Sequence, residues 1–314
     1  MKDKVIVVAG PTCTGKSKFA IDLAKKFNGE IVSLDSVQVY KYLDIGSAKV
    51  TKEEMEGIPH YMLSLVEPNV NLNVEEFKKM ADKYIEDILR RKKLPILVGG
   101  TGFYIRAILY DTDFLEEDEN IASEIRKNYY SEYEKNGIDN IYKKLLEVDR
   151  KSAETIEKGN DRRIIRALEF YDLHNMPISK HNEIEKNKKA KYDNLFFVLN
   201  EERNILYDRI NLRVDKMFEL GLIEEVKHLI SLGVNKDNNS MKSIGYRELY
   251  DYVFTNDDSE EKLKTIKEDI KKHTRNYAKR QLTWFRGQKN ILWTNKNDNV
   301  VEKIKIFLSD NIDK

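Results

Sequence analysis

Residues Gly10-Pro11-Thr12-Cys13-Thr14-Gly15-Lys16-Ser17 fit the pattern G-x-x-x-x-G-K-[ST], and their setting narrows the fold more than any other feature of the chain. Before them, Lys4–Ala9 (KVIVVA) is a short, β-branched apolar run that reads as a buried strand. After them, Lys16–Phe27 carries helical periodicity. A strand, a glycine-bearing turn and a helix in this order make an anion nest. Loop N–H groups turn inward and the helix N-terminus adds partial positive charge. Lys16 offers a point charge to phosphate oxygens, and the Ser17 hydroxyl can ligate Mg²⁺. The expectation is a site for a diphosphate or triphosphate; the loop alone does not say which compound binds.

The rest of the chain repeats this alternation. Glu30–Leu34 reads as a second strand ending at Asp35, and Leu94–Val98 as a third, followed by Gly99-Gly100-Thr101-Gly102 and a new helix. Between them, Asn73 is a good N-cap with Glu76 three residues on, opening an amphipathic helix to about Arg91. Asn194–Leu199 returns to strand character, and helices follow over Glu201–Leu220, Leu222–Leu232 and about Ser259–Phe285. Strands alternating with helices imply an α/β fold, a parallel sheet with helices on both faces of the phosphate-loop NTPase kind. Ligands of such sheets sit at the carboxyl ends of the strands, where Gly10–Ser17, Asp35 and Thr101 all fall. Residues 112–190 break the pattern, being polar, Tyr-rich and helical without a clear strand. The organisation expected is a core over 1–111, an inserted all-helical subdomain over 112–190, and core completion with basic C-terminal helices over 191–314. The segment after Trp293 reads as peripheral.

Composition bounds the function classes. Hydrophobic residues are 40% of the 314, enough for a core. No stretch approaches the roughly 18 unbroken apolar residues needed to span a bilayer, and the N-terminus lacks signal-peptide features. A single cysteine excludes an internal disulfide and a cysteine-rich zinc site. A soluble, cytoplasmic protein is expected. The net charge of +1 hides segregation: residues 111–120 hold six acids and no base, and residues 271–289 hold seven Lys/Arg and no acid. On a helix, Lys271, Arg275 and Lys279 share one face, with Tyr277, Trp284 and Phe285 interleaved. That arrangement suits nucleic-acid phosphates, with rings for stacking. Arg162, Arg163 and Arg166 form a second basic cluster. Asp35 reads either as a turn carboxylate or as a general base at the sheet's active edge, and Thr101 either as part of a glycine turn or as a hydroxyl facing the phosphate loop. Cys13 reads as a small loop side chain, and His60 as structural.

Beyond a generic phosphate loop, nine segments in order resemble the tRNA dimethylallyltransferases (tRNA isopentenyltransferases) of bacterial type. They are GPTCTGKS (10–17), DSVQVY (35–40), DIGSAK (44–49), GIPHYML (57–63), VGGTGFY (98–104), NDRRIIRALEFY (160–171), LRVDKMFELGLIEEV (212–226), SIGYRE (243–248) and TRNYAKRQLTWFR (274–286). The resemblance implies transfer of a dimethylallyl group from dimethylallyl diphosphate to N6 of adenosine 37, beside the tRNA anticodon, with diphosphate leaving. It implies that Lys16, the loop amides, Mg²⁺ on Ser17, Thr101 and Arg213 serve the leaving group, and that Asp35 is the general base. Asp35, Ser36, Val37 and Gln38 would line the place of the flipped nucleotide. Thr101, Arg126 and the segment Gly159, Asn160, Asp161, Arg162 and Arg163 would contact the tRNA anticodon stem-loop. The basic helix with Arg275, Lys279 and Arg280 is the second expected tRNA surface. A monomer is expected.

The chain departs from the family pattern at Cys13 and Thr14, where Gly or Ala and then Ser are common. It departs again at Arg150 after Asp149, and at Gly159, where the family often has proline. Other readings are an isopentenyltransferase of the adenylate type acting on free nucleotides, a nucleotide kinase of the same fold, and a non-enzymatic RNA-binding protein. The insert of roughly 80 residues and the basic helix argue for tRNA, and the set Lys16, Ser17, Asp35 and Thr101 argues for catalysis.

Overall fold

Six strands, β1 (Lys4–Ala9), β2 (Gly29–Ser33), β3 (His60–Tyr61), β4 (Leu94–Gly99), β5 (Asp193–Leu199) and β6 (Leu292–Thr294), form one sheet in the order β3-β2-β4-β1-β5-β6. Every pairing is parallel. The computed structural model describes residues 2–115, 117–295 and 299–309. The chain divides into two compact units, residues 1–109 with 191–314, and residues 110–190. No described helix is long and apolar enough to cross a membrane.

The first unit is built around the central strands. Val5–Ala9 and all of β4 are buried, as expected for strands covered on both faces. Helix α1 (Lys16–Phe27) lays Ala20, Ile21, Leu23 and Ala24 on Ile6, Val8, Ile31 and Ile96. It stops at Asn28, whose left-handed backbone (φ 52°) turns the chain into β2. Helix α2 (Val74–Arg90) opens with the capping box foreseen from sequence: Asn73 accepts from the Glu76 N–H, and Glu76 from the Asn73 N–H. Helix α3 (Gly102–Leu109) follows β4 and ends this half of the core. The Lys191 N–H then donates to the Leu109 carbonyl at 2.7 Å, and β5 follows.

The segment after Trp293 is not peripheral. Strand β6 pairs with β5 (Phe197↔Leu292, Leu199↔Thr294), and Val300 and Ile304 lie in the main core beside Ile6, Val8 and Phe197. A three-residue strand and a nine-residue helix carry too little periodicity to announce themselves. Their partners lie about a hundred residues earlier or more.

The second unit comprises α4 (Glu119–Asn136), α5 (Ile138–Val148), α6 (Arg150–Thr155), α7 (Asp161–His174) and α8 (Ile178–Lys186). Its core is Ile141, Leu145, Ile164, Ile165 and Leu168, with Tyr129, Tyr130, Tyr133 and Tyr142 packed around it. The tyrosines let a polar-looking segment bury enough ring surface to fold. The departure at Arg150 has a local explanation. Buried Asp149 caps α6, accepting from the Ser152 and Ser179 N–H groups and both hydroxyls at 2.6–3.0 Å. Arg150 then occupies the first helical position, where proline is favoured but not required, because that N–H has no helical partner and proline's fixed φ suits the first turn.

Candidate active site

The phosphate loop leaves β1 through Gly10, whose backbone (φ +141°) passes so close to β5 that a Cβ would sit 2.6 Å from the Leu199 carbonyl oxygen. Only glycine fits there. The loop is braced from within, since the Thr14 hydroxyl donates to the Pro11 carbonyl at 2.9 Å and the Lys16 ammonium to the same oxygen at 2.6 Å. Cys13 adopts a left-handed conformation (φ 64°) and packs beside Leu206, Tyr207, Ile210 and Ala278. Helix α9 (Arg203–Glu219) brings in Arg213, whose Nη1 donates to Thr12 Oγ1 at 3.0 Å and lies 3.4 Å from Cys13 Sγ. Burial of the ammonium, and then the Arg213 guanidinium, bring Lys16 down to about 8, while Cys13 and Asp35 act the other way.

Asp35 follows β2 and folds back on its own turn. Its Oδ1 accepts from the Val37 N–H at 2.9 Å and the Gln38 N–H at 3.3 Å. These bonds make Asp35 a turn carboxylate, and they leave it on the wall of the cavity described below. Ser36, Val37 and Gln38 are half-buried beside it. Gln38 is itself engaged, accepting from the Ser33 hydroxyl and donating to the Ser47 and Ala48 carbonyls. Two tyrosines feel the carboxylate's charge. Tyr104 is pushed up to about 12 by burial, then by Tyr40 and Asp35, and Tyr277 is raised by burial, then by Asp35.

Asp35 and Gln38 line a cavity of about 830 Å³, whose wall also includes Thr12, Lys16, Ser17, Gly100 and Arg213. The loop from Asp44 to Thr51 forms another side of it. That loop is held by a residue sequence reasoning did not single out: Glu225 of α10 (Leu222–Ser231) accepts from the Asp44, Ile45 and Gly46 N–H groups at 2.8–3.0 Å. The fully buried Tyr246 of α11 (Tyr246–Phe254) donates to the same carboxylate at 2.6 Å. Lys49 reaches back to the Tyr40 carbonyl, Asp44 and Ser64. As for Mg²⁺, no cluster of three His, Cys, Asp or Glu exists among the described residues. Ser17, exposed on the cavity wall, carries a hydroxyl that could ligate an ion taking one or two protein oxygens plus water and substrate phosphate.

Thr101 sits at the turn between β4 and α3, and its carbonyl accepts from the Tyr104 and Ile105 N–H groups. Against this turn lies α12 (Glu260–Arg286), the basic helix of the sequence. The aromatic residues on it are not stacking rings on a surface. Phe285 is fully buried, Tyr277 lies against Thr101 and Gln281, and Trp284 covers Gly102 so closely that a Cβ would come within 2.2 Å of its ring. They share one apolar stripe with Ala278, and that stripe faces the core. Trp284 keeps an edge on an open hollow of about 500 Å³ with Asn276, Lys279, Arg280 and Thr283. The three basic residues expected in one row also part company: Lys271 pairs with Asp215 and Glu268, Arg275 donates to Asn211 at 2.5 Å, and Lys279 and Arg280 are exposed.

In the second unit, Gly159, Arg162 and Arg163 are exposed at the start of α7, Asn160 caps it by accepting from the Arg163 N–H at 3.2 Å, and Asp161 stands in its first turn. Arg126 is not an open guanidinium. It grips fully buried Glu169 through Nε (2.8 Å) and Nη2 (3.0 Å), with Nη1 toward Glu119.

Comparison with known proteins gives a consistent picture. The profile of the IPP transferase family matches residues 38–288. The tRNA dimethylallyltransferase of Thermoanaerobacter sp. is 46% identical over 300 residues, covering 93% of this chain and 92% of its own length. That of Acetivibrio thermocellus is 42% identical over 312 residues, covering 98% of each. Among solved structures, the tRNA isopentenylpyrophosphate transferase of Staphylococcus epidermidis is 42% identical with a TM-score of 0.67, covering 99% of each chain. A eukaryotic dimethylallyltransferase acting on tRNA is 31% identical with a TM-score of 0.75, over 99% of this chain and 79% of that one.

Proposed function

The chain belongs to the IPP transferase family, and on that premise we propose that it transfers a dimethylallyl group from dimethylallyl diphosphate to N6 of adenosine 37 in tRNA. It is a prenyl-transferring enzyme with the fold of its family. The observation that carries the detailed reading is one cavity holding an anion nest with Lys16 and Arg213 together with the carboxylate of Asp35.

The chemistry follows from that pairing. The diphosphate lies on the loop amides, with Lys16 and Arg213 against its oxygens. The bond from carbon 1 of the prenyl group to the diphosphate oxygen breaks, and its electron pair leaves with the diphosphate. The N6 lone pair forms the new carbon–nitrogen bond, and the N6 proton passes to Asp35. An exocyclic adenine amine is a weak nucleophile, so a carboxylate held in one orientation by two backbone N–H groups suits it. Thr101 offers its hydroxyl to the leaving group and to the tRNA side. Mg²⁺, held by Ser17 and the diphosphate, would add positive charge against the leaving group.

The adenosine must leave its stack to reach Asp35 through Gln38. Exposed Lys279 and Arg280 on α12, with Arg275 behind them, support phosphate contact, as do Arg162 and Arg163 beside Gly159, Asn160 and Asp161. A role for Arg126 toward tRNA rests on resemblance alone, because Glu169 takes its guanidinium. A tRNA substrate supports a cytoplasmic site of action, and the chain is taken to act as a monomer.

The test is a transfer assay with protein, Mg²⁺, dimethylallyl diphosphate and either unmodified tRNA or AMP. Prenyl-adenosine at position 37 of tRNA, located by nuclease mapping and mass, is the expected product. Prenyl-AMP with untouched tRNA would move the chain to the free-nucleotide branch.

A further inference from the structure

Gln281 lies on the inner face of α12, 6% exposed, and touches two parts of the site at once. Its Oε1 accepts from the Thr12 N–H at 2.9 Å, and its Nε2 donates to the Gly100 carbonyl at 3.0 Å. We infer that Gln281 is a positioning residue, a strut that sets the phosphate loop against the Thr101 turn. The inference rests on the reaction proposed above. It assigns to this amide the registration of the held diphosphate with the hydroxyl that meets the leaving oxygen.

One end of the strut must accept and the other must donate. An ionised carboxylate cannot donate, and a lysine or arginine cannot accept; a side-chain amide does both. The backbone on the far side is shaped for it, since a Cβ on Gly100 would lie 2.2 Å from Nε2. The neighbours on the same helix face complete the contact. Tyr277 lies against Thr101 and Trp284 against Gly102, so three side chains one turn apart cover Gly100 to Gly102. Thr12 is pinned from both sides, by Gln281 at its N–H and by Arg213 at its hydroxyl. A shift of about 1 Å between such groups is enough to cost a reaction about a hundredfold.

Two substitutions separate registration from mere support. Gln281→Met keeps the length and removes both hydrogen bonds. Gln281→Glu accepts but does not donate when ionised; protonated, it does both, and burial raises the pH at which it protonates. The measurements are the affinity for inorganic pyrophosphate with Mg²⁺, kcat/KM for dimethylallyl diphosphate, tRNA affinity and thermal midpoint, from pH 5.5 to 8.5. Ile304→Ala, in the main core and outside the cavity lining, controls for loss of stability alone. For Gln281→Met we expect pyrophosphate affinity and kcat/KM to fall about tenfold or more at every pH, with tRNA affinity within about twofold of the unaltered chain. For Gln281→Glu we expect the same loss at pH 8.5 and recovery toward the unaltered chain as pH falls. Unchanged pyrophosphate affinity in Gln281→Met, equal pH profiles for the two variants, or the same tenfold loss in Ile304→Ala overturns the strut. Absence of prenyl transfer by the unaltered chain would sink the proposed reaction, while the pyrophosphate measurements still decide the strut.

Discussion

Arg213 and Lys16 converge on the phosphate loop from different helices, the first bonded to Thr12 Oγ1 at 3.0 Å and the second to the Pro11 carbonyl at 2.6 Å. Burial, and then repulsion from the Arg213 guanidinium, bring Lys16 to about 8 from its ordinary 10.5. Between those values the unfolded chain holds the lysine proton and the folded, ligand-free chain releases it, so folding stability rises with pH across that window. Pyrophosphate affinity runs the other way, because the anion needs the charged lysine. We expect affinity to fall above pH 8, and Arg213→Gln to move that fall to higher pH while weakening binding overall. Calorimetric titrations of both proteins across pH 7–9.5 check it; a flat profile would remove Lys16 from the anion site.

Asp35→Asn should preserve the fold and lose the reaction. The asparagine oxygen can still accept from the Val37 and Gln38 N–H groups, so the thermal midpoint should hold within a few degrees. Removing a general base costs about 10²–10⁴ in turnover. Single-turnover transfer with tRNA prebound reads the step directly, and tRNA affinity should stay within about threefold. Turnover near that of the unaltered chain would leave Asp35 as a turn residue only.

Glu225→Ala should loosen the loop that walls the cavity. Three backbone N–H groups and the Tyr246 hydroxyl lose their acceptor together. Stranding such donors costs about 1–3 kcal/mol each where they are buried, less where water can reach them; a total of about 2–4 kcal/mol is expected from urea midpoints. The KM for dimethylallyl diphosphate should rise with it, and Tyr246→Phe should cost about 1 kcal/mol.

Lys279→Ala combined with Arg280→Ala should weaken tRNA binding and lower the slope of log affinity against log salt by about 1.5. Lys271→Ala should leave that slope alone, because Asp215 and Glu268 already hold its ammonium. Equal slopes for all three proteins would take this face of α12 out of the interface.

What could be read in advance was local. The phosphate loop, the Asn73–Glu76 box and the strands on either side of them depend on residues within a few positions of one another. Asp35 and Thr101 were suggested by their place at strand ends. Glu225 and Gln281 were not, though both lie inside motifs that carry the family resemblance, because a carboxylate or an amide on a helix has no periodic mark. Their importance comes from partners roughly 180 and 270 residues away in sequence. The rings of α12 failed for a related reason: a stripe of Tyr, Trp and Phe among lysines looks the same whether it faces a nucleic acid or a core, and contact with Gly102 decides.

The hydrogen bond from the Lys191 N–H to the Leu109 carbonyl closes the sheet unit across an excursion of 81 residues. Seen from the sheet, the excursion is a removable graft whose stump is already sutured. The helices of the graft could be lengthened, trimmed or retuned without disturbing the sheet they leave and rejoin. A tight turn sewn between Leu109 and Lys191 should therefore yield a smaller protein that still holds pyrophosphate.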